Sequence, residues 1–288
     1  MQAARLRTLP AAVVPVLVGS AAAYYDRAFD WRALALALIG STAVQVAANF
    51  ANDASDAARG ADPQDRVGPA RMVASGLISA RQMWIGTWTA IGVAAAAGIG
   101  LTVLAGPVVV AIGLASVLAM LGYVGGPLPY GYRGLGEVFV FLFFGLVATG
   151  GSRLVHDGSG PRWVWLLGIP IGLLAASILV ANNLRDIVTD ARVGKRTMAV
   201  MLGRGRTQLL YGCLTWGAGA VIVALAVTRV IPPPTLAALV TAPLIVRLNR
   251  LAKGDGADLI PLLAGTARLH LLFGLLVACG IVAARLSG

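Results

Sequence analysis

Asn49-Phe50-Ala51-Asn52-Asp53-Ala54-Ser55-Asp56, followed by Arg59-Gly60-Ala61-Asp62, closes one long apolar run. Asn182-Asn183-Leu184-Arg185-Asp186-Ile187-Val188-Thr189-Asp190, followed by Arg192, Lys195 and Arg196, closes another. Almost everything around the two stretches is hydrocarbon. Carboxylates at the end of an apolar helix are costly to place against lipid, and their usual reason is function. In the first stretch Asn49, Asn52, Asp53 and Asp56 fall on one helix face, at i, i+3, i+4 and i+7. In the second, Asn182, Asp186 and Asp190 stand at i, i+4 and i+8, with Asn183 three before Asp186. Asn49 aligns with Asn182 and Asp53 with Asp186 at one constant offset. That suggests a duplicated four-helix unit with a ninth helix added, in a single domain 1–288 whose halves are about 1–135 and 136–288. Halves offset by four spans keep the same orientation, as parallel repeats about an axis along the membrane normal.

The 288-residue chain is 58% hydrophobic and 12% charged, with a mean hydropathy of +0.82. A soluble domain carries about 25% charged residues. Apolar stretches near 9–26, 32–52, 84–105, 107–125, 136–154, 163–184, 207–228, 232–248 and 269–286 are each about long enough to cross a bilayer, which takes about 20 residues as helix. Lipid forces each span to satisfy its own backbone, so an all-α polytopic membrane protein is expected: nine helices bundled together. Period-two alternation is absent, which argues against a barrel.

With the N-terminus cytoplasmic, 17 of the 23 Lys and Arg residues fall on inside segments and six on outside ones. This skew predicts a multi-pass protein of the cell membrane, with both acid-bearing stretches on the cytoplasmic face. The net charge of +11 therefore reads as topology plus an anion-binding face, and nucleic acid is a poor partner for cations spread over several loops. The first apolar run lacks a small-residue cleavage site and is expected to stay as the first helix. Cys213 and Cys279 fall inside spans and read as small packing residues, and Gly168 and Gly172 as a close helix contact.

Hard oxygen ligands suit Mg2+, which keeps waters and takes substrate phosphates. Two acid faces across a cavity would hold Mg2+ with a diphosphate between them. Arg59, Arg66, Arg71, Lys195 and Arg196 would neutralise the remaining phosphate charge. An ester with a long apolar tail suits a cavity open to lipid. An allylic diphosphate that ionises there needs dry aromatic walls, for which Tyr123, Tyr130, Tyr132, Phe139, Phe141, Phe143 and Phe144 are the candidates. No histidine is placed as a base: His156 falls on an outside loop and His270 at the start of the last span. Asp62 and Asp65 read equally well as simple loop solvation. A transporter of anionic lipids or metabolites is the rival from another class, but transporters place their charged site near the midplane.

The Asn-Asp-x-x-Asp stretch and the Asp186-x-x-x-Asp190 stretch resemble the two acid motifs of the UbiA-type intramembrane prenyltransferases. Arg7-Thr8-Leu9-Pro10, the run 66–76, the run 125–137 and Val180-Ala181-Asn182-Asn183-Leu184-Arg185-Asp186 are most similar to the menaquinone-pathway branch, of actinobacterial type. The resemblance covers about residues 5 to 205. It implies a central lipid-open cavity and transfer of a polyprenyl chain from polyprenyl diphosphate to 1,4-dihydroxy-2-naphthoate. The ring carboxylate leaves as carbon dioxide and demethylmenaquinone forms. It implies that Asn49, Asp53, Asp56, Asp186 and Asp190 bind Mg2+ and diphosphate, and that Lys195 and Arg71 hold phosphate. Tyr130 and Glu137, in a motif between the clusters, are given an acceptor or tail role. Other aromatic acceptors of the family, 4-hydroxybenzoate, haem, homogentisate and chlorophyllide, are the alternatives. Ala54 stands where members often carry an aromatic residue, which puts the local cavity wall in doubt.

Overall fold

The computed structural model describes residues 3–60, 71–125 and 129–287, which hold helices and no strand. Arg66, Asp62 and Asp65 lie outside the described residues, as does part of the 125–137 run. Among the described residues six helices are long and apolar enough to cross a membrane: α2 (Trp31–Ala58), α3 (Ala80–Ala105), α5 (Gly136–Leu154), α6 (Arg162–Arg185), α9 (Arg204–Val227) and α11 (Ile260–Ser287). The apolar helices α1 (Pro10–Tyr25) and α4 (Val108–Val124) are shorter. Two short helices, α7 (Ile187–Arg192) and α8 (Met198–Leu202), follow α6.

Local chemistry sets the ends. Asp30 caps α2 by accepting the Arg32 N–H, and Ser79 with Gln82 forms a capping box on α3. Two spans differ from the expected ones. The stretch 232–248 is wound as a 3-10 segment, Pro233–Thr241, that runs directly into a helix α10, Ala242–Leu251. Pro243 sits in the first turn of α10, where its missing N–H costs little. The last helix begins at Ile260, so Arg268 lies inside it rather than before it, and His270 lies in its interior rather than at its start.

Helix α6 is the centre, with 72% of its apolar window buried. Leu167, Ile171, Leu174 and Leu184 pack there with Ile222, Leu269 and Phe273. Gly168 and Gly172 let the backbone of α5 approach closely. A Cβ on Gly145 would lie 2.4 Å from the Gly172 Cα, so glycine is required on this contact. Facing it, α5 is wound as a π-helix over Phe141–Val147. Cys213 and Cys279 are exposed on the outer surface, not packed inside.

At the end of the bundle away from the acid motifs, Arg153 is buried and bonds Asp26 at 2.8 Å and Asp157 at 2.7 Å. His156 has a structural role there. Its Nδ1 accepts the Asp30 N–H at 3.0 Å, its Nε2 lies 2.9 Å from Ser20 Oγ, and its ring stacks on Phe29. The imidazole thereby ties α1 to the start of α2 and the end of α5.

Candidate active site

Helix α2 runs past its apolar stretch and carries Asn49, Asn52, Asp53 and Asp56 on its last turns, as their helical spacing implied. Asn49, Asp53 and Asp56 are all buried, and Asn52 beside them is half-buried. Asn49 Nδ2 donates to the Ala4 carbonyl at 2.8 Å and to Thr8 Oγ1 at 3.2 Å, pinning the N-terminal segment over the site. Asp53 accepts the Met72 N–H on Oδ2 at 3.2 Å and the Val73 N–H on Oδ1 at 3.0 Å. It therefore anchors the loop that leads into α3. Ala54 packs with Ala3, Met72 and Met83, so the small residue serves the fit of that loop.

The second cluster is not one helix face. Helix α6 ends at Arg185, Asp186 is its C-cap, and α7 starts beyond it. The break lets Arg185 fold onto Asp186, with Nε to Oδ1 at 2.7 Å and Nη2 to Oδ2 at 2.6 Å, while Nη2 also reaches Asn182 Oδ1 at 2.9 Å. Asp190 is buried, and its carbonyl accepts the Lys195 N–H at 2.9 Å.

The two clusters meet. Asp56 Oδ1 lies 3.7 Å from Lys195 Nζ, from the loop after α7, and Asp56 Oδ2 accepts from Arg71 Nη2 at 3.2 Å. Asp56 Oδ1 also accepts the Tyr132 hydroxyl at 2.6 Å. Burial and the Asp56 carboxylate push the Tyr132 phenol well above its ordinary pKa, so it remains a donor. The Tyr132 ring centroid is 4.8 Å from Arg59 Cζ and 5.0 Å from Lys195 Nζ. Arg196 is exposed and enters only through its N–H, which donates to the Tyr132 carbonyl at 3.2 Å.

Glu137, at the start of α5, is buried and accepts Asn183 Nδ2 on Oε1 at 2.9 Å. The Tyr123 ring lies against Gly131 and Gly136, beside Tyr132 and Glu137 in the chain. Tyr123 packs edge-on against Tyr130, which stacks on Phe139 at 3.9 Å, and Phe139 lies parallel to Phe143. An aromatic column therefore leads from the acid clusters into the span. Phe144 packs instead with Ala11 and Ile178.

Sequence reasoning left four participants out of the site. Tyr132 was a wall candidate only, and Arg185 was read for its charge alone. Thr8 gathers Asn49 and, at 3.3 Å, Gln45. Gln45, buried one turn before Asn49 on the same face, was the most findable, because an amide deep in an apolar run carries the same signal as Asn49.

Among the described residues no three His, Cys, Asp or Glu side chains form a ready metal cage. The donor set still fits Mg2+. It offers buried carboxylates from two directions with cations beside them, and this ion is held by one or two carboxylates together with substrate phosphates rather than by an all-protein cage.

The chain matches the UbiA prenyltransferase family over residues 12–272 and belongs to that family. It is 42% identical over 289 residues to 1,4-dihydroxy-2-naphthoate octaprenyltransferase of Mycobacterium tuberculosis, covering 99% of this chain and 97% of that one. It is 32% identical over 292 residues to the Escherichia coli protein of the same name, covering 98% and 94%. Its fold is shared with a UbiA homolog from Archaeoglobus fulgidus solved with DMAPP and Mg2+. The TM-score is 0.64 at 16% identity, over 95% of this chain and 98% of that one.

Proposed function

We propose that this protein transfers a polyprenyl chain from polyprenyl diphosphate to 1,4-dihydroxy-2-naphthoate, with loss of the ring carboxylate as carbon dioxide, forming demethylmenaquinone for menaquinone biosynthesis. The observation that supports the reading is the 3.7 Å approach of Lys195, in the loop after the second acid motif, to Asp56 in the first. The name of the 42% identical relative supports the choice of acceptor.

In this reading Asp56, Asp186 and Asp190 hold Mg2+, with Asp53 and the Asn49 side-chain oxygen completing the acid face, and Asn52 and Asn182 lie beside the phosphates. Bound Mg2+ neutralises charge that develops on the departing diphosphate. Arg71 and Lys195 exchange Asp56 for phosphate oxygens, and Arg59, Arg66 and Arg196 supply the outer positive field. The buried Asp56–Arg71 pair compensates the two charges it joins until a polyanion arrives with its cation. Tyr123, Tyr130, Phe139 and Phe143 line the path of the chain and exclude water from the allylic cation. Glu137 and Asn183 border the acceptor. The protein crosses the cell membrane nine times around a lipid-open cavity, as a single domain of two related halves, with the N-terminus and the site on the cytoplasmic face.

The test offers the purified protein one polyprenyl diphosphate with 1,4-dihydroxy-2-naphthoate, 4-hydroxybenzoate and homogentisate in parallel, followed by mass analysis. The naphthoate alone is expected to yield a prenylated, decarboxylated product. Prenylation of 4-hydroxybenzoate or homogentisate instead would overturn the assignment of acceptor.

A further inference from the structure

We propose that Tyr132 is the positioning residue that joins the two acid-bearing loops: its hydroxyl orients Asp56, and its ring gives Arg59 and Lys195 a second seat beside the substrate phosphates. The inference rests on the magnesium–diphosphate reading above. Tyr132 reaches both acid-bearing segments. It meets the end of α2 through the 2.6 Å bond to Asp56 and the 4.8 Å approach of Arg59. It meets the loop after α7 through Lys195 at 5.0 Å and the Arg196 N–H at 3.2 Å.

The turn that carries Tyr132 is fixed from behind. Tyr130 donates to the Ala119 carbonyl at 2.7 Å. Gly131 is so close to α4 that a Cβ there would lie 2.7 Å from the Tyr123 carbonyl oxygen. The ring therefore cannot simply follow the cations; they must come to it.

Charge then decides what happens when a divalent cation reaches Asp56. Lys195, 3.7 Å from the same carboxylate oxygen that Tyr132 bonds, is repelled by the arriving charge. An aromatic face within about 6 Å holds an ammonium or guanidinium group, so Lys195 and Arg59 stay at the site instead of swinging into water. The phenol is a neutral donor, and a carboxylate oxygen has lone pairs to spare, so the bond to Asp56 survives metal binding. Tyr132 thus holds the metal ligand with one group and the phosphate-binding cations with another.

Two substitutions separate the jobs. Tyr132→Phe removes the hydroxyl and keeps the ring, and Tyr132→Leu removes both. Binding of the unreactive thiolo analogue of geranyl diphosphate to the full-length protein in detergent is followed by calorimetry across a Mg2+ titration. Tyr132→Phe should need about tenfold more Mg2+ for half-maximal binding, the low end of the 10–100-fold seen for partners that orient metal ligands, yet bind as wild type at saturating Mg2+. Tyr132→Leu should stay several-fold weaker even at saturating Mg2+. If Tyr132→Leu does not fold, Arg59→Gln, at an exposed residue, reports the ring's job and should show the same loss. An unchanged Mg2+ requirement in Tyr132→Phe overturns the role of the hydroxyl. Wild-type binding at saturating Mg2+ in Tyr132→Leu, or in Arg59→Gln, overturns the role of the ring. Wild-type protein that binds no analogue with Mg2+ would instead refute the diphosphate reading on which the inference rests.

Discussion

Lys195 Nζ stands 3.7 Å from Asp56 Oδ1, although one follows α7 and the other ends α2. The side chains are 12% and 4% exposed, so the pair is shielded from the solvent that makes most surface ion pairs worthless. Lys195→Met should raise KM for the prenyl diphosphate about tenfold and lower kcat. Combined with Asp56→Asn, the losses should fail to add, with a coupling of about 0.5–3 kcal/mol. Steady-state kinetics of the four proteins checks this, and additive losses would mean that the two residues act separately.

Asp53 has a role that can be measured without substrate. Each of its oxygens accepts a backbone N–H, from Met72 and Val73, and charge-assisted bonds of this kind are about twice as strong as neutral ones. Asp53→Ala should speed hydrogen exchange at those two amides, with the amides inside α6 unchanged. Equal protection in variant and wild type would show that the loop is held by other contacts.

Most of the fold was legible because hydrocarbon is an unambiguous signal. The runs 136–154 and 163–184 met helices Gly136–Leu154 and Arg162–Arg185 almost residue for residue. The stretch 232–248 was legible as an apolar run but not as a 3-10 segment leading into an α-helix, because the 3-10 winding over Pro233–Thr241 accompanies its packing on α11 and leaves no periodicity in the sequence. The first cluster was legible as a helix face. The second was not, because Arg185 bonds Asp186 only once the helix has ended there, and no periodicity carries that. Tyr132 escaped the site because its partners are distant in sequence and only the turn at 130–132 brings them together.

Asn183 should be worth stability as well as position. It donates to the buried Glu137 carboxylate, and leaving a buried acceptor without its donor costs about 1–3 kcal/mol. Asn183→Leu should lower the melting temperature in detergent. Glu137→Gln, which keeps an oxygen for Asn183, should lower it less. The reverse order would show that the contact contributes little.

His156 predicts a pH effect at the opposite end of the molecule. Burial first, and then the nearby Arg153, hold its pKa below the ordinary 6.5. Unfolded, the ring takes a proton near pH 6.5; folded, it resists until a lower pH. The stability linked to His156 is therefore full above about pH 6.5 and is lost as the pH falls through the folded value. Melting temperatures should drop between pH 7 and pH 5, and His156→Gln should flatten that drop. An equal slope in the variant would place the acid sensitivity elsewhere.

Prenyl transfer here requires a diphosphate held jointly by the two acid-bearing ends. Release of diphosphate from polyprenyl diphosphate is measured with 1,4-dihydroxy-2-naphthoate for wild type, Asp56→Ala and Asp186→Ala, each confirmed to be folded, with EDTA and then with Mg2+ restored. Wild-type turnover should stop with EDTA and return with Mg2+, and both variants should lose at least 100-fold, about 2.7 kcal/mol of transition-state stabilisation. Normal turnover by either variant, or by the wild type in EDTA, would contradict this requirement.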